Sequence, residues 1–305
     1  MPSGVKGACL SLCHWQTRRG RGSKRESLTG TAAMPAFADL LPMILLLLAI
    51  GAFAGVIAGL LGVGGGIILV PAFFYAFSGL GYGGPDLMQV CLATSLATII
   101  VTSMRSVLAH NRKGAVDWAI LKGWGPGIAI GAVLGVLVVA QLRTPVLQAI
   151  FGSLALVVAF YLGFGRAEWR LGAAMPVGLG RAILSPVVGF LSVLMGIGGG
   201  SFGVPLMSLY GIPIHRAVAT AAGFGVMIAV PSVAGFLLTP VTGAPPYTVG
   251  AVNLPSFVLI IAMTLMTAPL GVKLAHAMDP KPLRRIFAAF LAMVALNMLR
   301  KALGW

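Results

Sequence analysis

Eight stretches of this chain stay apolar long enough to cross a bilayer, and that leaves it few ways to fold. A crossing helix needs about 20 apolar residues, and the runs lie near 40–61, 89–110, 120–141, 146–164, 182–197, 217–239, 254–276 and 285–303. In hydrocarbon every backbone polar group must be bonded internally, so such runs become packed helices. Charged residues make up only 9% of the 305 and hydrophobic ones 58%, with a mean hydropathy of +1.00. A soluble domain carries about 25% charged residues. The expected fold class is therefore an all-α polytopic membrane protein, a helical bundle whose partner is the lipid bilayer.

The six carboxylates (Glu26, Asp39, Asp86, Asp117, Glu168 and Asp279) lie outside or at the edges of these runs. Much of the +15 formal charge sits in the N-terminal tail and the inter-helix loops. There Lys and Arg set membrane orientation, so nucleic acid is not an expected partner. Cys9, Cys13 and Cys91 are too few and too scattered for a disulfide framework or a zinc site. No metal or cofactor is expected. Residues 1–33 read as a basic disordered tail or as a start assigned too early, with Met34 an alternative start. The rest divides into a first transmembrane repeat at 34–165, a cytoplasmic linker at 166–181 and a second repeat at 182–305.

The division rests on a phrase that occurs twice. Gly62-Val63-Gly64-Gly65-Gly66 is followed, after four more residues, by Pro71; Gly196-Ile197-Gly198-Gly199-Gly200 is followed at the same spacing by Pro205. Further on, Ala93-Thr94 matches Ala219-Thr220, and Leu147, Ile150 and Phe151 match Leu283, Ile286 and Phe287. Glycine costs a helix interior roughly 1 kcal/mol against alanine. Paired breaks at corresponding positions of two halves point to a transporter's substrate site. The short pieces at 67–80 and 201–211 read as half-helices or tilted short spans.

Loop charge predicts that the halves are inverted. The loop at 111–122 carries Arg112, Lys113 and Lys122, while its counterpart at 240–253 carries none. The loop at 142–145 has Arg143 alone against Lys281, Arg284 and Arg285 in its counterpart. Positive loops are cytoplasmic, so matching loops lie on opposite sides. Inversion needs an odd number of crossings per half, and counting each short piece as a crossing gives five plus five. That arrangement leaves the basic tail and Arg300-Lys301 outside.

The candidate substrate site follows from the breaks. Gly62, Gly64, Gly65 and Gly66 in the first phrase, and Gly196, Gly198, Gly199 and Gly200 in the second, would offer freed N–H groups to an anion. Thr94, Ser95, Ser201 and Thr220 would add hydroxyl contacts. The competing explanation is close packing of helices through small residues. The same segment carries Thr98, Thr102, Ser103 and Ser106, hydroxyls that fit packing. Arg105 and His110 are accessory candidates, an intramembrane cation and a group that titrates near neutral pH. Arg105 also lies within snorkelling reach of the interface, and His110 sits at a helix end. Asp117-Trp118 reads as a helix start with an N-cap carboxylate and an interfacial ring.

Gly59-Leu60-Leu61-Gly62-Val63-Gly64-Gly65-Gly66 with Pro71, Ala93-Thr94-Ser95-Leu96, Ala109-His110, Gly114-Ala115-Val116-Asp117-Trp118, and the second glycine phrase with Pro205 and Ala219-Thr220 carry a resemblance. Over about residues 40–303 the chain resembles the TauE/SafE family of bacterial sulfite exporters. Ser201 and Gly203 depart from the first copy's Ile67 and Leu69 and make the second copy more polar. The resemblance implies an eight-span permease of the bacterial inner membrane that exports or imports sulfite or a related sulfur-containing anion. Sulfonates and other organic acids are among the substrates suggested for that family.

The expected function is thus secondary transport of a small sulfur-containing anion such as sulfite or an organosulfonate, by rocking of one half against the other. An anion channel, or a carrier of another small organic anion, is the alternative. No Gly-x-x-x-x-Gly-Lys-Ser/Thr phrase is present. Four scattered histidines (His14, His110, His215 and His276) and no deep carboxylate make an intramembrane enzyme unexpected. A homo-oligomer is left open.

Overall fold

The computed structural model describes residues 37–61, 66–165, 169–172, 174–277 and 280–304. Its helices are α1 (Phe37–Leu61), α2 (Gly66–Gly79), α3 (Leu87–Arg112), α4 (Trp118–Val139), α5 (Thr144–Phe164), α6 (Leu179–Leu194), α7 (Gly200–Leu209), α8 (Ile214–Leu237), α9 (Leu254–Ala277) and α10 (Pro280–Ala302). A two-residue antiparallel ribbon, β1 (Thr248–Val249) with β2 (Val252–Asn253), precedes α9. The chain divides into two compact units, residues 1–39 and 40–305. The tail expected at 1–33 lies outside the described residues, and the account below concerns the second unit.

Among the described residues, α3, α4, α5, α8 and the stretch Leu254–Gly271 of α9 are long and apolar enough to cross a membrane. Their outer faces are apolar too. Leu137, Val157 and Phe160 are each at least 60% exposed, which suits lipid rather than water. The run expected at 182–197 is instead the 16-residue α6. At ~1.5 Å per residue it reaches about 24 Å, less than a hydrocarbon core. It ends because Gly196 sits at φ +60°, a left-handed conformation that glycine adopts freely.

Close approach through small residues holds the bundle. On α4, the space a Cβ would need at Gly131 is occupied by the Pro186 carbonyl of α6, and at Gly189 by the Ile128 carbonyl of α4. Gly127 faces Ser185 and Gly135 faces Val193, so α4 and α6 run parallel. In the same way Gly51 of α1 meets Ile260 and Met263 of α9, and Gly55 meets Thr264 and Thr267, so α1 and α9 also run parallel. On α5, Gly152 packs against Ala295 and Leu299 of α10 while Gly163 lies by Ala288. Those two helices are therefore antiparallel.

Helices α3 and α8 form the centre and are antiparallel as well. Asp86, just before α3, accepts bonds from the Thr242 N–H (2.9 Å) and hydroxyl (2.7 Å) beyond the end of α8. Asp117, just after α3, pairs with Arg216 at the start of α8 (3.2 Å). These contacts mark two ends of the molecule.

The packing partners are α3 with α8, α5 with α10, α4 with α6 and α1 with α9. The short helices do not run end to end. Helix α6 starts beside the start of α4 at the Asp117 end, and α7 returns to that end through residues 210–213. Leu171 of the preceding linker donates its N–H to the Leu209 carbonyl (2.8 Å), closing that hairpin. Helix α1 follows α9 from the Asp86 end, and α2 returns there through residues 80–86. The count of five crossings per half is thus corrected to three end-to-end helices plus one hairpin. In the second half the reason is length: the 10 residues of α7 reach about 15 Å.

Candidate functional site

The two glycine phrases meet. A Cβ on Gly66, the first residue of α2, would lie 3.1 Å from Ile197 Cα and 3.2 Å from the Gly196 carbonyl oxygen. Gly62, Gly64 and Gly65 lie outside the described residues. Gly196 abuts Leu92 of α3 and Val70 of α2, and Gly198 faces Ile99 of α3. The turn between α6 and α7 therefore lies between α3 and α8, the start of α2 meets it beside Ile99, and Ile99 is near the middle of α3. Residues 193–201 are all buried.

Hydrogen bonding at this crossing is lopsided. Three of the last carbonyls of α6 are occupied: Leu191 accepts from the Met195 N–H, Ser192 from Ile197 and Val193 from Gly196. The Gly196 carbonyl accepts the Ser95 hydroxyl at 2.8 Å, a buried bond across the two halves. The N–H groups of Gly198 to Phe202 have no acceptor among the described residues; the first that does is Gly203, bonded to the Gly199 carbonyl at 2.7 Å. These are the open donors that every helix start leaves. Ser201 in that first turn is 5% exposed and its hydroxyl has no partner. Cα–Cβ bonds tilt toward a helix's N-terminus, so the Ser201 side chain leans toward the end of α7 that carries the open N–H groups. Ser192, fully buried in the last turn of α6, is also unpartnered.

Thr94 and Thr220 do something else, and they do it symmetrically. Helices α4 and α9 each begin with a capping residue. Asp117 accepts the Ala119 and Ile120 N–H groups, and the Asn253 side-chain oxygen accepts that of Ser256. The backbone N–H of Asp117 donates to the Thr220 hydroxyl oxygen at 3.0 Å, and that of Asn253 to Thr94 at 3.0 Å. Each threonine thus ties the start of a helix in the opposite half to the central pair. Asn253 and Ser192 carried no sequence signal that singled them out; the Asp117 cap did.

The remaining candidates lie away from the crossing. Arg105 is on the exposed face of α3 beside Met104 and Leu108. His110 is in the last turn of α3, where its carbonyl accepts from Lys113 and Ala115. The Thr98 and Thr102 hydroxyls bond back to their own helix. Ser103, which is buried, faces Gly225 of α8. Gly199 is constrained from its other side: a Cβ there would sit 2.4 Å from Phe224 Cβ and 2.7 Å from the Ala221 carbonyl. Packing against α8 therefore requires glycine at 199 whatever binds.

No charged side chain is among the buried polar groups of the described residues; the set consists of Ser, Thr, Asn and Gln. Such a centre can offer hydroxyls and the positive end of a helix, about half an elementary charge. The described residues hold no cluster of metal-ligating side chains.

With five helices long and apolar enough to cross a membrane among the described residues, the fold is that of a multi-pass helical membrane protein. The chain belongs to the family described as Sulfite exporter TauE/SafE, whose model matches residues 47–298. A probable membrane transporter protein from Haemophilus influenzae is 30% identical over 262 residues, covering 85% of this chain and 98% of that one. A second probable membrane transporter protein, from Methanocaldococcus jannaschii, is 27% identical over 270 residues, covering 86% and 97%. No solved structure matches.

Proposed function

We propose that the chain is a secondary transporter of a small sulfur-containing anion such as sulfite or an organosulfonate, built as an inverted repeat in the bacterial inner membrane. The carrying observation is the crossing itself. The start of α2 meets the break between α6 and α7 beside α3, with open N–H groups at the start of α7 and the unpartnered buried hydroxyl of Ser201 in its first turn. Unsatisfied buried donors are costly, and an oxyanion is the ligand that satisfies several at once.

The antiparallel course of equivalent helices supports inversion. Orientation follows from charge. Arg112, Lys113, Lys122, Arg170, Arg181 and Arg216 gather at the Asp117 end, against Arg143, Arg300 and Lys301 at the other. The Asp117 end is therefore cytoplasmic. The hairpins enter from opposite sides and touch at mid-depth, so rocking one half on the other would expose the same groups to either side.

The test is flux of sulfite and methanesulfonate into proteoliposomes, with countertransport measured from both faces. Saturable flux accelerated by trans substrate supports a carrier. Non-saturating flux without exchange makes it a channel, and flux equal to that of protein-free vesicles refutes both.

A further inference from the structure

We infer that the site takes its substrate as a monoanion, so that hydrogen sulfite and sulfonates are transported while sulfite, sulfate and thiosulfate dianions are not. The inference rests on the anion-carrier reading and adds the charge state.

The buried polar groups of the described residues include no cation. Along the five helices that build the crossing, the charged and titratable residues are Tyr75 on α2, Cys91, Arg105, His110 and Arg112 on α3, Arg181 on α6, and His215 and Arg216 on α8. Arg105 and Arg112 lie on exposed surface, as do His215 and Arg216 at the start of α8. Nothing among them places a full positive charge against the bound anion. What compensates the substrate is therefore partial charge. Helix α7 begins at the crossing with its first N–H groups open, while the Leu191, Ser192 and Val193 carbonyls of α6 are already bonded. Helix α2 begins at the same place, at Gly66. Each helix start carries at most about half an elementary charge, and the end of α6, two residues before Gly196, offsets part of it.

The cost of moving an ion out of water grows with the square of its charge, so a dianion loses about four times the hydration of a monoanion of the same size. Partial charge from open N–H groups and neutral hydroxyls, with no buried cation among the described residues, suits the first far better than the second. A monoanion of a tetrahedral or pyramidal sulfur centre also presents three oxygens, enough for the N–H fan of α7 together with Ser201.

The experiment is proteoliposome flux between about pH 6 and about pH 8, with methanesulfonate, a permanent monoanion, reporting any protein titration in that window, histidine included. Background from protein-free vesicles is subtracted at each pH. Sulfite loses its second proton within this range. The expected result is pH-independent methanesulfonate flux, sulfite flux that falls in proportion to hydrogen sulfite as pH rises, and an excess of at least about tenfold over sulfate and thiosulfate. Sulfite flux that stays level or rises with pH, or sulfate carried as fast as methanesulfonate, overturns the monoanion inference and leaves anion transport standing. Absence of flux for every anion overturns the transport reading itself.

Discussion

Gly198 and Gly199 are neighbours with different reasons to be glycine. At 199 the α8 backbone occupies the space a side chain needs, whereas at 198 the nearest atom to a Cβ is Ile99 Cγ2 at 3.1 Å. A flexible side-chain tip can give by a few tenths of an ångström; backbone cannot. Gly199→Ala is therefore expected to destabilise by about 1–3 kcal/mol, the usual cost of overpacking, seen as lower melting temperature and yield in detergent. Gly198→Ala should leave melting close to wild type. Equal losses at both positions would mean that the two sites are packed alike. The phrase was conspicuous in the sequence, but the sequence does not say which glycine meets backbone and which meets a side-chain tip, because that depends on how α8 lies against α7.

Among the elements, the two threonine ties are the clearest sign that the halves are built on one plan. Thr220→Val leaves the Asp117 N–H without its acceptor, and Thr94→Val does the same to Asn253. Each should cost about 1–3 kcal/mol. Because they lie at opposite ends of the α3–α8 pair, their effects should add within about 0.5 kcal/mol. Thermal melting of the two single variants and the double variant checks this, and a double variant no worse than either single one would show that the ties are not independent. Both threonines were legible as repeat markers, from Ala93-Thr94 and Ala219-Thr220. Their bonding was not, since Asn253 follows a ribbon that has no counterpart before Asp117. Most helix positions were legible from hydropathy alone. The early end of α6 was not, because Met195 to Gly200 is as apolar as the helix before it and only backbone conformation marks the break.

For the whole molecule, three end-to-end helices per half keep the odd parity that inversion needs. Arg300 and Lys301 had looked misplaced on the outer side. Lys301 in fact lies over the Tyr75 ring at 4.8 Å and the Phe74 ring at 5.1 Å, so its charge has a local partner there. Single cysteines placed in a background lacking Cys9, Cys13 and Cys91 test the topology. Lys113→Cys and Ile214→Cys, both exposed, should label from one face of the membrane, and Val249→Cys from the other. Labelling of Lys113→Cys and Ile214→Cys from opposite faces would mean that α6 and α7 do not form a returning hairpin.

The central claim is that the anion binds where the hairpin tips meet, and Ser201→Ala tests it most directly. The Ser201 hydroxyl has no partner among the described residues, so removing it costs the fold little; the expected change in stability is within about 0.5 kcal/mol. If it binds substrate, the same change should raise the KM for methanesulfonate exchange about tenfold, the loss of one hydrogen bond to a charged group. It should also abolish most of the thermal stabilisation that methanesulfonate gives the wild-type protein. Wild-type KM and undiminished anion-dependent stabilisation in Ser201→Ala would contradict the account and place the substrate elsewhere.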